Sequence, residues 1–129
     1  MCEEKIEGYW YSEYDPQYPM PEEYKGEWDR EAFLNRLIKV EETMYAEYEM
    51  VVKEYNEGNS DPLSLYYKKN DKIESYRGLS ECRICKCANG SREFVCNGFR
   101  WPEGLRHYIE EHGVKPSTEF IDMIIRATY

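Results

Sequence analysis

Cys82 and Cys85, two residues apart, and His107 and His112, four residues apart, constrain this chain more than any other feature. A C-x2-C spacing lets one tight turn aim both thiolates at a single ion, and histidines separated by three to five residues commonly complete such a set. Zn2+ is the ion expected for Cys82, Cys85, His107 and His112. Four protein ligands close the coordination shell and leave no position for a reactive water, so the expected role is structural. Five residues along a regular helix turn through about 140°, so the two histidines converge only if the last turn loosens near Gly113. Three alternatives stay open at this level. Cys87 or Cys96 could replace a histidine, the cysteines could hold an iron–sulfur cluster, or they could be buried thiols behaving as small hydrophobes.

The residues between the two pairs predict how the stretch 81–113 folds. Asn89-Gly90 and Asn97-Gly98 are both two-residue hairpin signals. The first turn would pair Cys85 with Phe94 and Cys87 with Arg92. The second would pair Cys96 with Phe99 and Phe94 with Trp101. Alternation along a strand then puts Cys85, Phe94, Cys96, Phe99 and Trp101 on one face, with Glu93, Val95 and Arg100 on the other. Trp101-Pro102-Glu103 predicts a helix start, because proline's missing N–H has no partner there and an acid suits the positive end. Leu105, Tyr108 and Ile109 form its apolar stripe, and Gly113 its stop.

In ligand order and element order the stretch resembles a Cys2His2 zinc finger, with a spacer of 21 residues instead of about a dozen. That departure leaves room for a third short strand and keeps the finger's base-reading helix positions from carrying over. The segments NGS-x-EF (Asn89 to Phe94) and WPEGL-x-HYI-x-x-H (Trp101 to His112) are also similar to small microbial or phage proteins, a resemblance that implies no activity.

A chain of 129 residues can bury one modest core. No run of 18 apolar residues is present, which predicts no membrane span, and the acidic start lacks the apolar segment of a signal peptide. Five cysteines, most of them gathered near one knuckle, fit a reducing compartment, and the expected location is the cytoplasm. Net charge is −9, with sixteen acids and six bases in residues 1–60 against ten acids and eleven bases in 61–129. The second half carries Arg83, Lys86, Arg92, Arg100 and Arg106, candidate nucleic-acid contacts with Phe99 or Trp101 stacking on bases. An acidic chain loses much of that attraction at physiological salt. No phosphate-binding or dinucleotide loop occurs, and zinc ligation leaves no histidine to serve a nucleophile. The chain is expected not to be an enzyme.

Residues 1–28 form an arm rich in tyrosine, tryptophan and proline, with Pro16, Pro19 and Pro21 excluding a helix. Its aromatics, Tyr9, Trp10, Tyr11, Tyr14 and Trp28, predict that it wraps the core. Residues 29–58 predict a long amphipathic helix capped by Asp29, with Leu34, Leu37, Ile38, Met44, Tyr45, Tyr48, Val51, Val52 and Tyr55 as its stripe. Arg36, Lys39, Glu42, Glu47, Glu49 and Lys53 lie opposite, while Glu41 interrupts the stripe. Such a helix is about 40 Å long, so part of it could meet a second chain. Residues 59–80 connect, with a short helix from Asp61 and an edge strand over 73–77. Residues 81–129 hold the metal-binding module and a last helix capped by Ser117, with Phe120, Ile121, Ile124 and Ile125 buried. The expectation is a single compact α+β domain, a ββα-like zinc module flanked by helices, that binds another macromolecule. Thirteen tyrosines suit an interface and favour a protein partner or self-association through the long helix. The alternative is RNA or DNA.

Overall fold

A computed structural model describes residues 5–13 and 15–127, apart from the side chains of 76–79. Cys2 and Tyr14 lie outside the described residues. The chain is mixed α+β, in the order β1 (Lys5–Ile6), α1 (Arg30–Asn56), α2 (Asp61–Tyr66), β2 (Lys72–Glu81), β3 (Ala88–Cys96), β4 (Phe99–Pro102), α3 (Leu105–His112) and α4 (Thr118–Arg126). The strands form one sheet in the order β1-β4-β3-β2. Among the described residues no helix is long and apolar enough to cross a membrane.

The Asn97-Gly98 turn sets the register of β3 and β4 as expected: Cys96 faces Phe99 and Phe94 faces Trp101. Ile73 of β2 stands opposite Phe94 on the other side. Ile73, Phe94, Cys96, Phe99 and Trp101 therefore share the buried face of the sheet. Phe33, Leu37, Val40 and Met44 of α1 and Phe120 and Ile124 of α4 close over it. Phe120 meets the rings of Phe33, Phe99 and Trp101 at 5.1–6.1 Å. On the opposite face Arg100 pairs with Glu93 at 2.6 Å and Glu74 at 3.3 Å.

The helix ends follow local chemistry. The Asp29 carboxylate accepts the Ala32 N–H, and Ser117 Oγ accepts that of Phe120. Along α1 the apolar stripe sinks only in its first half, and Tyr55 and Met50 are exposed near its end. Phe33 and Val40, which the expected stripe omitted, are among its deepest residues. Of the α4 stripe, Ile125 is exposed.

Three expectations are corrected. The first turn is not Asn89-Gly90, which lies inside β3; β2 and β3 are joined instead by the knuckle itself, residues 82–87. Gly90 is needed for another reason. Its φ is +127°, and a Cβ there would stand 2.1 Å from Glu103 Cγ, where Glu103 Oε1 accepts the N–H groups of Ser91 (2.5 Å) and Arg92 (3.2 Å). Second, Pro102 ends β4 rather than opening a helix, and α3 starts at Leu105 after Gly104. Third, the arm is not wholly irregular: Lys5 and Ile6 pair in parallel with Phe99 and Arg100. This covers the outer edge of β4, and β2, from the stretch read as a connector, is the longest strand.

Candidate metal centre

The knuckle is a turn that its own backbone holds shut. Cys82 N–H donates to Cys87 O at 2.8 Å, and Lys86 N–H donates to Cys82 O at 3.0 Å. Lys86 takes a left-handed conformation, φ 66°, to bring the chain round. Inside the turn, Cys82 Sγ accepts the N–H groups of Ile84 and Cys85 at 3.4 and 3.5 Å. Both N–H groups belong to the turn itself, so the backbone fixes where this sulfur sits.

α3 brings the imidazoles to this turn. Leu105 and Ile109 anchor it to the sheet core, and the Tyr108 hydroxyl accepts the Arg83 N–H at 2.7 Å, tying helix to knuckle. Burial holds the Tyr108 phenol above its ordinary pKa. At the helix end Gly113, φ +64°, donates to Tyr108 O, five residues back instead of four. That wider last turn swings His112 towards His107, and their ring centroids stand 5.1 Å apart.

One sulfur or nitrogen from each of Cys82, Cys85, His107 and His112 lies within 4.8 Å of the others, so this group can hold a metal ion. Cys85 Sγ and His107 Nε2 are 3.3 Å apart. His112 Nε2 is buried and has no hydrogen-bond partner among the described residues. An orphaned buried nitrogen costs free energy unless something binds it, and a metal ion at this point would.

The other cysteines stand apart from the group. Cys87 is exposed and serves the knuckle through its carbonyl oxygen. Cys96 is fully buried in the sheet core, its Sγ 3.8 Å from Asp71 Oδ2. The expected alignment of Cys85 with the Phe94 face does not occur, because Cys85 is in the turn and exposed.

The five candidate nucleic-acid contacts are each engaged within the chain. Arg83 donates through Nε to Tyr11 O at 2.8 Å and through Nη1 to Glu81 O, and Lys86 Nζ donates to Arg83 O at 3.3 Å. The Arg92 guanidinium lies over the rings of Tyr45 and Tyr48 at 5.7 and 5.2 Å. Arg100 meets Glu93 and Glu74, and Arg106 meets Glu41 at 3.7 Å and Glu110 at 3.5 Å. Phe99 and Trp101, expected as stacking platforms, are buried in the core instead.

Two residues that the sequence named, Trp10 as a wrapping aromatic and Glu103 as the acid of a helix start, make contacts here that it did not assign. Trp10 of the arm packs edge-on against Tyr108 at 5.7 Å, roofing the small cluster of Cys82, Tyr108 and Val114. Glu103 braces β3, and its second oxygen accepts the Tyr45 hydroxyl at 2.5 Å. The density of aromatics in the arm was the available signal for Trp10. No protein-family model, no curated protein and no solved structure matches the chain.

Proposed function

We propose that the ion is Zn2+, that it is structural, and that the folded chain serves as a macromolecular interaction module whose partner is a protein. The convergence of two sulfurs and two imidazole nitrogens within 4.8 Å carries the zinc reading. A tetrahedral zinc with bonds of about 2.3 Å to sulfur and about 2.1 Å to nitrogen sets its ligand atoms about 3.4–3.8 Å apart. The 3.3 Å between Cys85 Sγ and His107 Nε2 is close to that spacing. Mixed thiolate and imidazole donors suit zinc better than the oxygen-seeking cations. Four protein ligands leave no open position for substrate, which argues for a scaffold rather than a catalyst. A reducing compartment such as the cytoplasm would keep the thiolates available.

The choice of a protein partner rests on the surface. Met50 and Tyr55 near the end of α1, and Leu65 and Tyr67 in and after α2, are exposed apolar or aromatic side chains. The candidate cations, by contrast, are each occupied by carbonyls, carboxylates or rings of the same chain, and the net charge is −9. Freeing them for phosphate would cost those contacts.

A native mass spectrum of protein purified without chelator is expected to show one zinc per chain. A folded, metal-free chain would remove the zinc reading. At low salt, single- and double-stranded DNA and RNA probes are expected to show no mobility shift. A shift that weakens steeply as salt rises would replace the protein partner with nucleic acid. A photo-crosslinker at position 50 is expected to give one discrete protein adduct in cells; a diffuse smear would remove the interaction surface.

A further inference from the structure

The two sulfurs of the metal centre differ sharply in exposure. Cys82 is fully buried, whereas Cys85 lies at the surface of the turn. Both belong to the group whose ligand atoms lie within 4.8 Å of one another. A sulfur that ligates metal does so as the thiolate, and oxidation by peroxides follows thiolate character and access. Cys85 offers both, and Cys82 stands directly behind it. The backbone keeps that pairing whether or not an ion is bound. The N–H groups of Ile84 and Cys85 point at Cys82 Sγ, and the Cys82–Cys87 and Lys86–Cys82 hydrogen bonds close the turn around it. Among the other described cysteines, Cys87 lies outside the ligand group and Cys96 is buried in the sheet core.

We propose that this centre is a thiol switch, in which a hydroperoxide joins Cys82 and Cys85 as a disulfide and the site gives up its ion. The inference rests on the zinc reading above. The Cys85 thiolate attacks a peroxide oxygen and the O–O bond breaks. The departing oxygen takes a proton and leaves as water or an alcohol, and Cys85 becomes a sulfenic acid. The Cys82 thiolate then attacks the Cys85 sulfur, the S–O bond breaks, and hydroxide leaves as water with a second proton. The two thiolates lose two electrons, the hydroperoxide gains them, and none passes to or from the ion. Disulfide sulfurs no longer carry the charge that binds zinc, which leaves His107 and His112 as its only ligands. The turn stays closed by its new bond, so the contact that loosens is the one between the knuckle and α3. A dithiol reductant reverses the step.

The experiment treats the full, zinc-loaded chain with hydrogen peroxide, follows zinc release with a chromogenic chelator, and maps the thiols by mass spectrometry. Release of one zinc per chain is expected together with a mass lower by two hydrogens. Peptide mapping should find Cys82 linked to Cys85, with Cys87 and Cys96 still free thiols. Dithiothreitol and added zinc should restore the loaded chain. Cys87→Ser should release zinc as wild type does. Cys85→His keeps a zinc-type ligand, removes the exposed sulfur, and should hold its zinc through the same treatment. Should that variant fail to load, the thiol map of wild type decides alone. A disulfide that uses Cys87 or Cys96, or zinc retained until sulfinic or sulfonic acids form, would overturn the switch and leave the zinc reading standing. A reduced chain that binds no zinc at the outset overturns both.

Discussion

The two ends of this molecule are held together by different physics. Between α1, the sheet and α4, fourteen of the described residues form one continuous buried core. Burying a side chain of this kind stabilises by about 1.5–3 kcal/mol, so that core can offset its own ordering entropy. At the knuckle, the buried cluster is Cys82, Tyr108 and Val114, with Trp10 packed against it. Fixing the backbone of residues 82–87 costs about 1–2 kcal/mol each, and of those six side chains only that of Cys82 is buried to offset it. The ligand group lies where apolar burial runs short. A metal held there would do what a larger core does elsewhere.

The largest expected effect separates the two ends directly. Structural zinc contributes about 10–16 kcal/mol of apparent binding free energy to small modules. Cys82→Ser, His107→Ala or a strong chelator should therefore remove the ion and strip amide-exchange protection from residues 82–87 and from α3 around Tyr108. The amides of α1 and α4 should stay protected. Uniform loss of protection would show one cooperative unit and dissolve the contrast between the ends.

A cut in the large core should do the opposite. Phe120 touches Phe33, Phe99 and Trp101 and is fully buried, so Phe120→Ala should cost about 3–5 kcal/mol. The chains that remain folded should still carry one metal. Loss of metal at temperatures where the variant is folded would mean that the core positions the ligands more tightly than the contrast allows.

Glu41 gives a smaller and pH-dependent effect within the large core. It is 4% exposed in the stripe of α1 and accepts the Trp101 Nε1–H at 3.0 Å. Burial pushes its pKa up to about 7, against the pull of Trp101 and Arg106. The folded state thus holds a proton that the unfolded chain releases near pH 4.5. Stability should fall as pH rises from about 4.5 to about 7 and level off above, by up to about 3 kcal/mol. The readout is the difference between wild type and Glu41→Gln, in which contributions common to both chains cancel. Glutamine still accepts from Trp101 and carries no charge to desolvate, although it gives up Arg106. Chemical denaturation should find Glu41→Gln more stable than wild type at pH 8, with the gap closing towards pH 5. A gap that does not change with pH would show the carboxyl to be ionised throughout.

The metal group was legible in the sequence because chelation depends on residue type and spacing, which a chain states openly. The Asn97-Gly98 register was legible for the same reason: a two-residue turn fixes its neighbours. Asn89-Gly90 misled because the same dipeptide also serves where backbone must approach a side chain, and only the position of Glu103 distinguishes the two. The stripe of α1 was traced without Phe33 and Val40, since periodicity gives a face but not where along it the sheet ends. Trp10 over Tyr108 and Glu103 under β3 were not legible, because such long-range contacts depend on how the arm and strands dock. In the second half, the basic residues looked like a patch because a sequence does not show which charges are already paired.

The smallest effects test whether the two ends share a ligand. Cys96 and Cys87 were both alternatives to a histidine, and the structure sets them on opposite sides of the contrast. Cys96 belongs to the large core, so Cys96→Ala should cost about 1 kcal/mol for a small buried group and leave the metal in place. Cys87 is exposed in the knuckle and contributes its backbone carbonyl, which Cys87→Ser retains. That variant should match wild type in both melting temperature and metal content. The decisive pair is Cys96→Ala against His112→Ala, each measured by native mass spectrometry. His112 Nε2 has no hydrogen-bond partner among the described residues, so its loss should empty or loosen the site. If instead Cys96→Ala empties it while His112→Ala keeps it, the ion is bound from within the core. The knuckle would then be an outlying turn, and its few buried contacts would have to hold it without a metal.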